Sequence, residues 1–308
     1  MANNSSLFSA PGLGAAAPSK TAESTYWDGV GAAWRKDRPD RLWREYTDRL
    51  QIALLDRWLE SPVPHPGGVQ PTALKTDLFD EVAGRGIVSH LSTTGFRTTG
   101  IDISPVVVAE ALRRNPQLHA RVADVRTLPF ADASFDVVYS GSTLDHFASV
   151  ADIAQAMQEL VRVLRPAGRL LLTLDNPVNP LVWLRNGPLL NMLCRWGIVP
   201  YAVGATLGPK RLANLVRESG LEVVRTAAIL HCPRVLAVWR ARRLEGQNTA
   251  AQERFLASLA RWECLEQWPS RFVTGHFTAI LAIKQGPGGL SGCLEAGAGH
   301  ARDGHLTQ

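Results

Sequence analysis

The chain has 308 residues, 45% hydrophobic and 20% charged, enough for one large globular domain with insertions. Its net charge of +5 comes mainly from scattered arginines, which suits anionic substrates or a membrane surface without requiring nucleic acid. Cys194, Cys232, Cys264 and Cys293 lie far apart with no paired metal-ligand spacing, as expected of reduced thiols in a cytoplasm. The amino terminus has no basic region followed by an apolar core, so no signal peptide is expected. The most apolar run, 180–207, is interrupted by Arg185, Asn186, Gly187, Pro188 and Arg195, which argues against a bilayer span.

In chain order, residues 1–24 are rich in Ala, Ser, Gly, Pro and Asn and are expected to be disordered. From 25 to 60 the pattern turns helical, with Leu50, Leu54, Leu55 and Trp58 at helical spacing. The aromatics of this stretch either pack on a sheet or line a pocket; Trp43 and Tyr46 are the better candidates for lining. Residues 61–71 hold four prolines and two glycines and read as a linker. A first strand follows over 73–79. Alternation puts Lys75, Asp77 and Phe79 on one side. A lysine in a strand buried on both faces needs a partner, so a Lys75–Asp77 pair is expected.

A second strand over 97–101 is closed by Asp102. Ser104 and Pro105 read as the N-cap and first position of a helix to about Arg114. A third strand near 118–122 ends at Asp124. In an open α/β sheet, ligands lie outside the carboxyl ends of the strands. An ionised carboxylate only accepts hydrogen bonds. Asp102 therefore suits a ribose diol and Asp124 an adenine amino group.

These elements are followed by Leu128-Pro129-Phe130, then Ser134-Phe135-Asp136-Val137-Val138, then Leu164-Arg165-Pro166-Ala167-Gly168-Arg169-Leu170. In that order the stretch resembles the class I S-adenosylmethionine-dependent methyltransferases, well over 73–177 and loosely on the flanks. The resemblance implies a doubly wound α/β fold. Its seven-stranded, mostly parallel sheet would have an antiparallel last strand, a helical N-terminal cover over the cofactor and a helical insertion. It implies S-adenosylmethionine as cofactor and no metal. Asp102, Ile103, Asp124, Val125 and Arg126 would hold the cofactor, with Ser140 at the end of strand four. It divides 25–285 into a cover (25–60), a cofactor core (72–177), a lid (178–207) and a closing part of the sheet (208–285), with a flexible tail at 286–308.

The first motif departs from the family. The expected pattern is an acid, a hydrophobic residue and Gly-x-Gly-x-Gly, whose glycines let the backbone pass close under the cofactor. Here Asp77 and Leu78 are followed by Phe79, Glu81 and Ala83 at the glycine positions. One repair is a longer loop that shifts the glycines to Gly84 and Gly86. Another is chemical, with Asp80 and Glu81 facing the ammonium and sulfonium of the cofactor. A third is a site that no longer binds it.

Strand four, 135–140, leads into Gly141-Ser142-Thr143-Leu144-Asp145-His146-Phe147, next to where the methyl group would lie. Asp145 and His146 are the acid/base candidates; the alternative is that His146 orders the loop. Ser149 to Asp152 resembles a capping box opening a helix to Leu164, stopped by Pro166 and Gly168. Strand five, 169–174, ends at Asp175 and Asn176 on the substrate side. Residues 181–206, with Trp183 and Trp196, either close an apolar pocket or rest on a membrane surface. A helix from Pro209 to Gly220, strand six at 221–230, a helical insertion at 233–270 and strand seven at 277–284 complete the pattern.

The function expected is methyl transfer to a small, largely apolar molecule. Two rivals are a protein of the same fold that has lost methyl transfer and binds a partner, and a nicotinamide-dependent oxidoreductase. The second lacks its glycine fingerprint. Nucleic-acid methylation is not expected, because Asp175-Asn176-Pro177-Val178 only echoes the Asn-Pro-Pro-aromatic motif.

Overall fold

The computed structural model describes residues 20–37, 40–59, 65–187 and 203–286. Seven strands form one sheet: β1 (Thr72–Thr76), β2 (Arg97–Asp102), β3 (His119–Val122), β4 (Phe135–Gly141), β5 (Leu164–Asp175), β6 (Leu221–Ile229) and β7 (Phe277–Lys284). Their order is β3-β2-β1-β4-β5-β7-β6. The first five strands are parallel, and β7 runs antiparallel between β5 and β6. The chain winds outward from β1 through β2 to β3, then returns to place β4 on the other side of β1. That reversal opens a crevice beyond the tips of β1 and β4.

The helices are α1 (Lys20–Asp37), α2 (Arg41–Trp58), α3 (Phe79–Ala83), α4 (Val88–Thr93), α5 (Pro105–Arg114), α6 (Val150–Val163), α7 (Pro180–Asn186), α8 (Pro209–Glu218), α9 (Arg234–Leu244), α10 (Thr249–Ala260) and α11 (Arg271–Thr274). Successive strand residues serve opposite faces of the sheet. Leu74, Val138, Leu170 and Leu172 pack with Ile153, Met157 and Leu160 of α6 and Leu212 of α8. Ala73, Val137, Tyr139 and Leu171 pack on the other face with Leu54, Leu55 and Trp58 of α2 and Leu91 of α4. Both faces are covered, which is why β5 is apolar over most of its length. Caps fix the helix starts. The Ser104 hydroxyl accepts from the Val107 amide with Pro105 in the first turn, and the Ser149 hydroxyl accepts from the Asp152 amide.

Several boundaries differ from expectation. The N-terminal cover is two helices, broken at Asp40, whose φ of 61° is left-handed. Its first helix begins at Lys20, inside the stretch expected to be disordered. β1 ends at Thr76 because Asp77 turns to φ 66°. β5 begins at Leu164 rather than Arg169, crossing a register shift against β4 near Ala167, whose φ is 62°. Trp196 and Cys194 of the expected lid, and the tail from 287, lie outside the described residues. No helix among the described residues is long and apolar enough to cross a membrane.

Candidate active site

The tips of β1 and β4 are tied together by side chains. The Thr76 hydroxyl lies 2.9 Å from Ser140 Oγ and 2.8 Å from Thr143 Oγ1. At the tip of β2, Asp102 accepts from the Leu78 amide at 2.9 Å and the Ser104 amide at 2.8 Å. These bonds fix its carboxylate between the first loop and the start of α5. Burial, with the neighbouring Asp77 charge, pushes its carboxyl up to about 7. At the end of β3, Asp124 accepts from the Arg126 amide at 2.9 Å and from its guanidinium at 3.0 Å. Arg126 also pairs with Glu23 of α1. The Ser24 hydroxyl donates to the Ile103 carbonyl at 3.1 Å, and Asp28 receives the Ser104 hydroxyl. These contacts hold α1 as a roof over the strand tips.

Beneath that roof is a cleft of about 670 Å3, counting its open mouth. Asp77, Asp102, Ile103, Asp124, Val125 and His146 all line it, joined by Glu23, Trp27, Thr76, Phe79, Thr143 and Phe147. A second cleft, of about 610 Å3, lies between α2 and the tips of β4 and β7. Trp43, Arg44, Gln51, Asp80, Arg234 and Phe277 line it. The two clefts share Trp27, Asp77, Phe79 and His146. The His146 ring meets the Trp27 ring edge-on, with centroids 4.7 Å apart.

The loop after β1 is built around carboxylates. Lys75 is buried in the strand, and its ammonium donates to the Asp77 carbonyl at 2.5 Å rather than to that residue's carboxylate. It lies 3.5 Å from Glu81 and 3.8 Å from Asp80. Burial opposes its charge, but Glu81 and Asp80 outweigh it and raise its pKa. Glu81 accepts from the amides of Ile87 and Val88 at 3.1 Å. Asp48 of α2 accepts from the amides of Arg85 at 2.7 Å and Gly86 at 3.2 Å. Burial, then the Asp80 charge, pushes Asp48 up to about 7.

Gly84 and Gly86 therefore serve a different purpose from the one expected. A Cβ at Gly84 would overlap the Asp48 carboxylate, and one at Gly86 would overlap the Glu81 carboxylate. Gly86 also has φ 78°, where a side chain is strained. Neither glycine lines either cleft, and Glu81 faces the loop's amides rather than the cleft.

Other expected site residues have structural positions. Tyr46 is buried against α9 and α10, its hydroxyl donating to the Leu259 carbonyl or to Glu263. Ser140 is buried under Thr76 and lines neither cleft. Asp145 is buried, accepts from the Ser142 hydroxyl and the Asp175 amide at 2.9 Å, and keeps its other oxygen 3.9 Å from His146 Nε2. It backs His146 without reaching a cleft. Asp175 pairs with Arg185. The Asn176 amide donates to the carbonyls of Phe272 and Gly275, closing the turn before β7. Trp183 is 60% exposed on α7 and lies outside both clefts. Arg126 acts on Asp124 rather than lining the cleft.

Sequence reading missed Glu23, Trp27, Thr143, Arg44 and Arg234. Trp27 and Arg44 lie on the aromatic helical stretch, but nothing in its spacing says which side faces a cleft.

Residues 83–172 match the family described as a methyltransferase domain. The chain is 41% identical over 216 residues to an uncharacterised 37.1 kDa protein in transposon TN4556 of Streptomyces fradiae, covering 64% of this chain and 56% of that one. It is 28% identical to a demethylmenaquinone methyltransferase of Beutenbergia cavernae, covering 69% of this chain and 84% of that one. It is 38% identical over 88 residues to a malonyl-[acyl-carrier protein] O-methyltransferase of Enterobacter lignolyticus, covering 34% of that protein. Among solved structures, a geranyl diphosphate C-methyltransferase from Streptomyces coelicolor A3(2) aligns at 16% identity, covering 77% of this chain and 78% of that one, with a TM-score of 0.47. With the exception of the Beutenbergia cavernae protein, the chain spans little more than half, or less, of these curated relatives. The chain is thus similar to methyltransferases, among them a probable S-adenosylmethionine-dependent methyltransferase of Mycolicibacterium smegmatis at 29% identity over 156 residues, and the match to the methyltransferase-domain family covers residues 83–172.

Proposed function

We propose that the protein transfers a methyl group from S-adenosylmethionine to a small molecule held in the second cleft. The observation that carries this reading is the shared wall: two clefts meeting at Asp77, Phe79, Trp27 and His146. The first cleft suits an adenosine, with Asp102 placed for the ribose diol and Asp124 for the adenine amino group. Ile103, Val125 and Phe147 offer apolar surface for the base. The bound cofactor supplies an electrophilic methyl group on sulfur.

The chain's part is alignment, exclusion of water and handling of a proton. Trp27 and Phe79 close the wall around the point of transfer. His146 faces both clefts and is the group placed to take a proton from a hydroxyl or carbon acid. Asp145 stands behind it, one carboxylate oxygen 3.9 Å from His146 Nε2. The substrate is a largely apolar body with a polar end. Trp43, Leu230 and Phe277 offer the apolar walls, and Arg44, Gln51 and Arg234 the polar contacts. The reading includes a cytoplasmic location and no nucleic-acid partner.

The test uses methyl-labelled S-adenosylmethionine, the full chain and the small-molecule fraction of a cell extract. Label should pass to an extractable product with the wild type and not with Asp102→Ala. Absence of transfer, together with no heat on titrating millimolar S-adenosylhomocysteine into folded protein, would refute the reading.

A further inference from the structure

A helix on a protein surface ordinarily turns its large apolar residues inward and its polar ones to water. Helix α9, Arg-Val-Leu-Ala-Val-Trp-Arg-Ala-Arg-Arg-Leu over Arg234–Leu244, largely does the reverse. Its buried residues are the small Ala237 and Ala241, which pack in one cluster with Leu42, Trp43 and Phe255. Its outward residues include Val235, Leu236 and Trp239, which are 67%, 66% and 53% exposed. At about 100° per residue these three share an arc of about 140° with Arg240 and Arg243.

That face is also basic. The helix carries Arg234, Arg240, Arg242 and Arg243 and no acid. The Arg243 guanidinium lies over the Trp239 ring, 3.6 Å from its centroid, and Arg240 is exposed beside them. The nearby acids are used on the protein side. Asp40 holds Arg242, and Glu245 accepts from the Leu42 amide at 3.1 Å. Among the described residues neither Arg240 nor Arg243 has an acidic partner. Helix α7 stands alongside, since Arg185 of α7 and Arg234 of α9 both reach His276 Nε2, at 3.3 and 2.7 Å. Leu181, Trp183 and Leu184 of α7 are exposed as well.

We infer that the outward face of α9, with α7 beside it, docks on the surface of an anionic lipid bilayer. The aliphatic side chains and Trp239 enter the interfacial layer, and the arginines meet lipid phosphates. A bilayer accepts apolar and cationic groups from one face together. Nucleic acid offers the charge but no apolar layer for Val235 and Leu236. A two-fold contact between copies would set Arg240 and Arg243 against their own counterparts. The face also begins at the second cleft, because Arg234 lines that cleft and Val235 and Leu236 follow it directly in the chain. Resting on the methyl-transfer reading above, this brings a lipid-dissolved acceptor to the rim of the cleft.

The experiment is co-sedimentation of the full chain, without cofactor, with vesicles of phosphatidylglycerol and with vesicles of phosphatidylcholine. Wild type should pellet with phosphatidylglycerol and bind phosphatidylcholine at least about tenfold more weakly. Arg240→Gln with Arg243→Gln should weaken phosphatidylglycerol binding by about 25-fold, near fivefold for each arginine. Leu236→Ser with Trp239→Ser should weaken binding to both lipids by at least about tenfold. Val69→Ser, at an exposed apolar position before the start of β1 and so at the other end of the sheet from the clefts, should change neither. All these positions are exposed, so thermal midpoints should stay near wild type; if a double variant fails to fold, Leu236→Ser alone decides. A wild type that stays in the supernatant with both lipids, or variants of α9 that pellet as it does, overturns the assignment. So does a wild-type dimer in sedimentation velocity that Leu236→Ser dissolves, which gives the face to a second copy of this chain. Vesicle binding without any labelled methyl product leaves the docking surface in place and removes only the methyl-transfer reading.

Discussion

The tips of β2 and β3 and the tip of β1 border one crevice, yet they use their carboxylates in opposite ways. At β2 and β3, Asp102 and Asp124 are braced by neighbouring amides and by Arg126, and both line the cleft. At β1, Asp48 and Glu81 turn into the loop and take up amides that a glycine-rich hairpin would leave for a ligand. A carboxylate near a ligand site can therefore be either a ligand group or a built-in substitute for the ligand's own anion. Which of the two it is depends on which amides face it.

The largest expected effect separates these roles directly. Asp102→Ala should weaken S-adenosylhomocysteine by more than about a hundredfold, since it removes a charged acceptor. Its thermal midpoint should fall too, because the amides of Leu78 and Ser104 lose their acceptor. If calorimetry shows unchanged affinity, the β2 end is as structural as the β1 end.

Gly86→Ala tests the other side. It combines a strained φ of 78° with overlap of the Glu81 carboxylate, and should cost about 1–3 kcal/mol in urea unfolding. Gly220→Ala is the control, with φ 87° and nothing within 4 Å of the added carbon; it should cost about 1 kcal/mol. Equal losses would mean that the carboxylate does not fill the loop.

A smaller effect appears in the pH dependence. Burial and neighbouring carboxylates push both Asp48 and Asp102 up to about 7, from an ordinary aspartate value of 3.8. The folded state then holds protons that the unfolded chain has released, so these groups lower stability as pH rises through that window. The urea midpoint should decline between pH 4 and pH 7 and level off above. A cationic ligand favours the ionised acids, so S-adenosylmethionine affinity should rise over the same window. A midpoint that climbs instead would show that these acids are not held up. The smallest effect is Tyr46→Phe, which removes one buried donor and should cost about 1–2 kcal/mol without changing ligand affinity. A selective loss of affinity would return Tyr46 to the pocket.

Much of the fold was legible because it rests on local patterns. The caps at Ser104 and Ser149, the apolar strands and the acids closing β2 and β3 all follow from short-range spacing and from sheet geometry. The cleft's second wall was not legible in this way. Trp27, Arg44 and Arg234 come from helices whose rotation depends on what they pack against, and Tyr46 differs from Trp43 only in the side of α2 it occupies. The misplaced strand ends share another cause. Asp77, at φ 66°, and Ala167, at φ 62°, adopt left-handed conformations that their residue types do not announce.

By itself the sequence determined the order of strands and helices and the two acids closing β2 and β3, because periodicity, capping and strand-end chemistry act over a few residues; the mostly parallel sheet was implied by the family resemblance. Only the tertiary structure decided that Asp48, far from the loop in sequence, would occupy the amides of Arg85 and Gly86, and that His146 would stand between two clefts. Those outcomes depend on contacts between α2, the β1 loop and the β4 loop. No stretch of sequence contains such contacts, since they exist only once the helices are packed on the sheet.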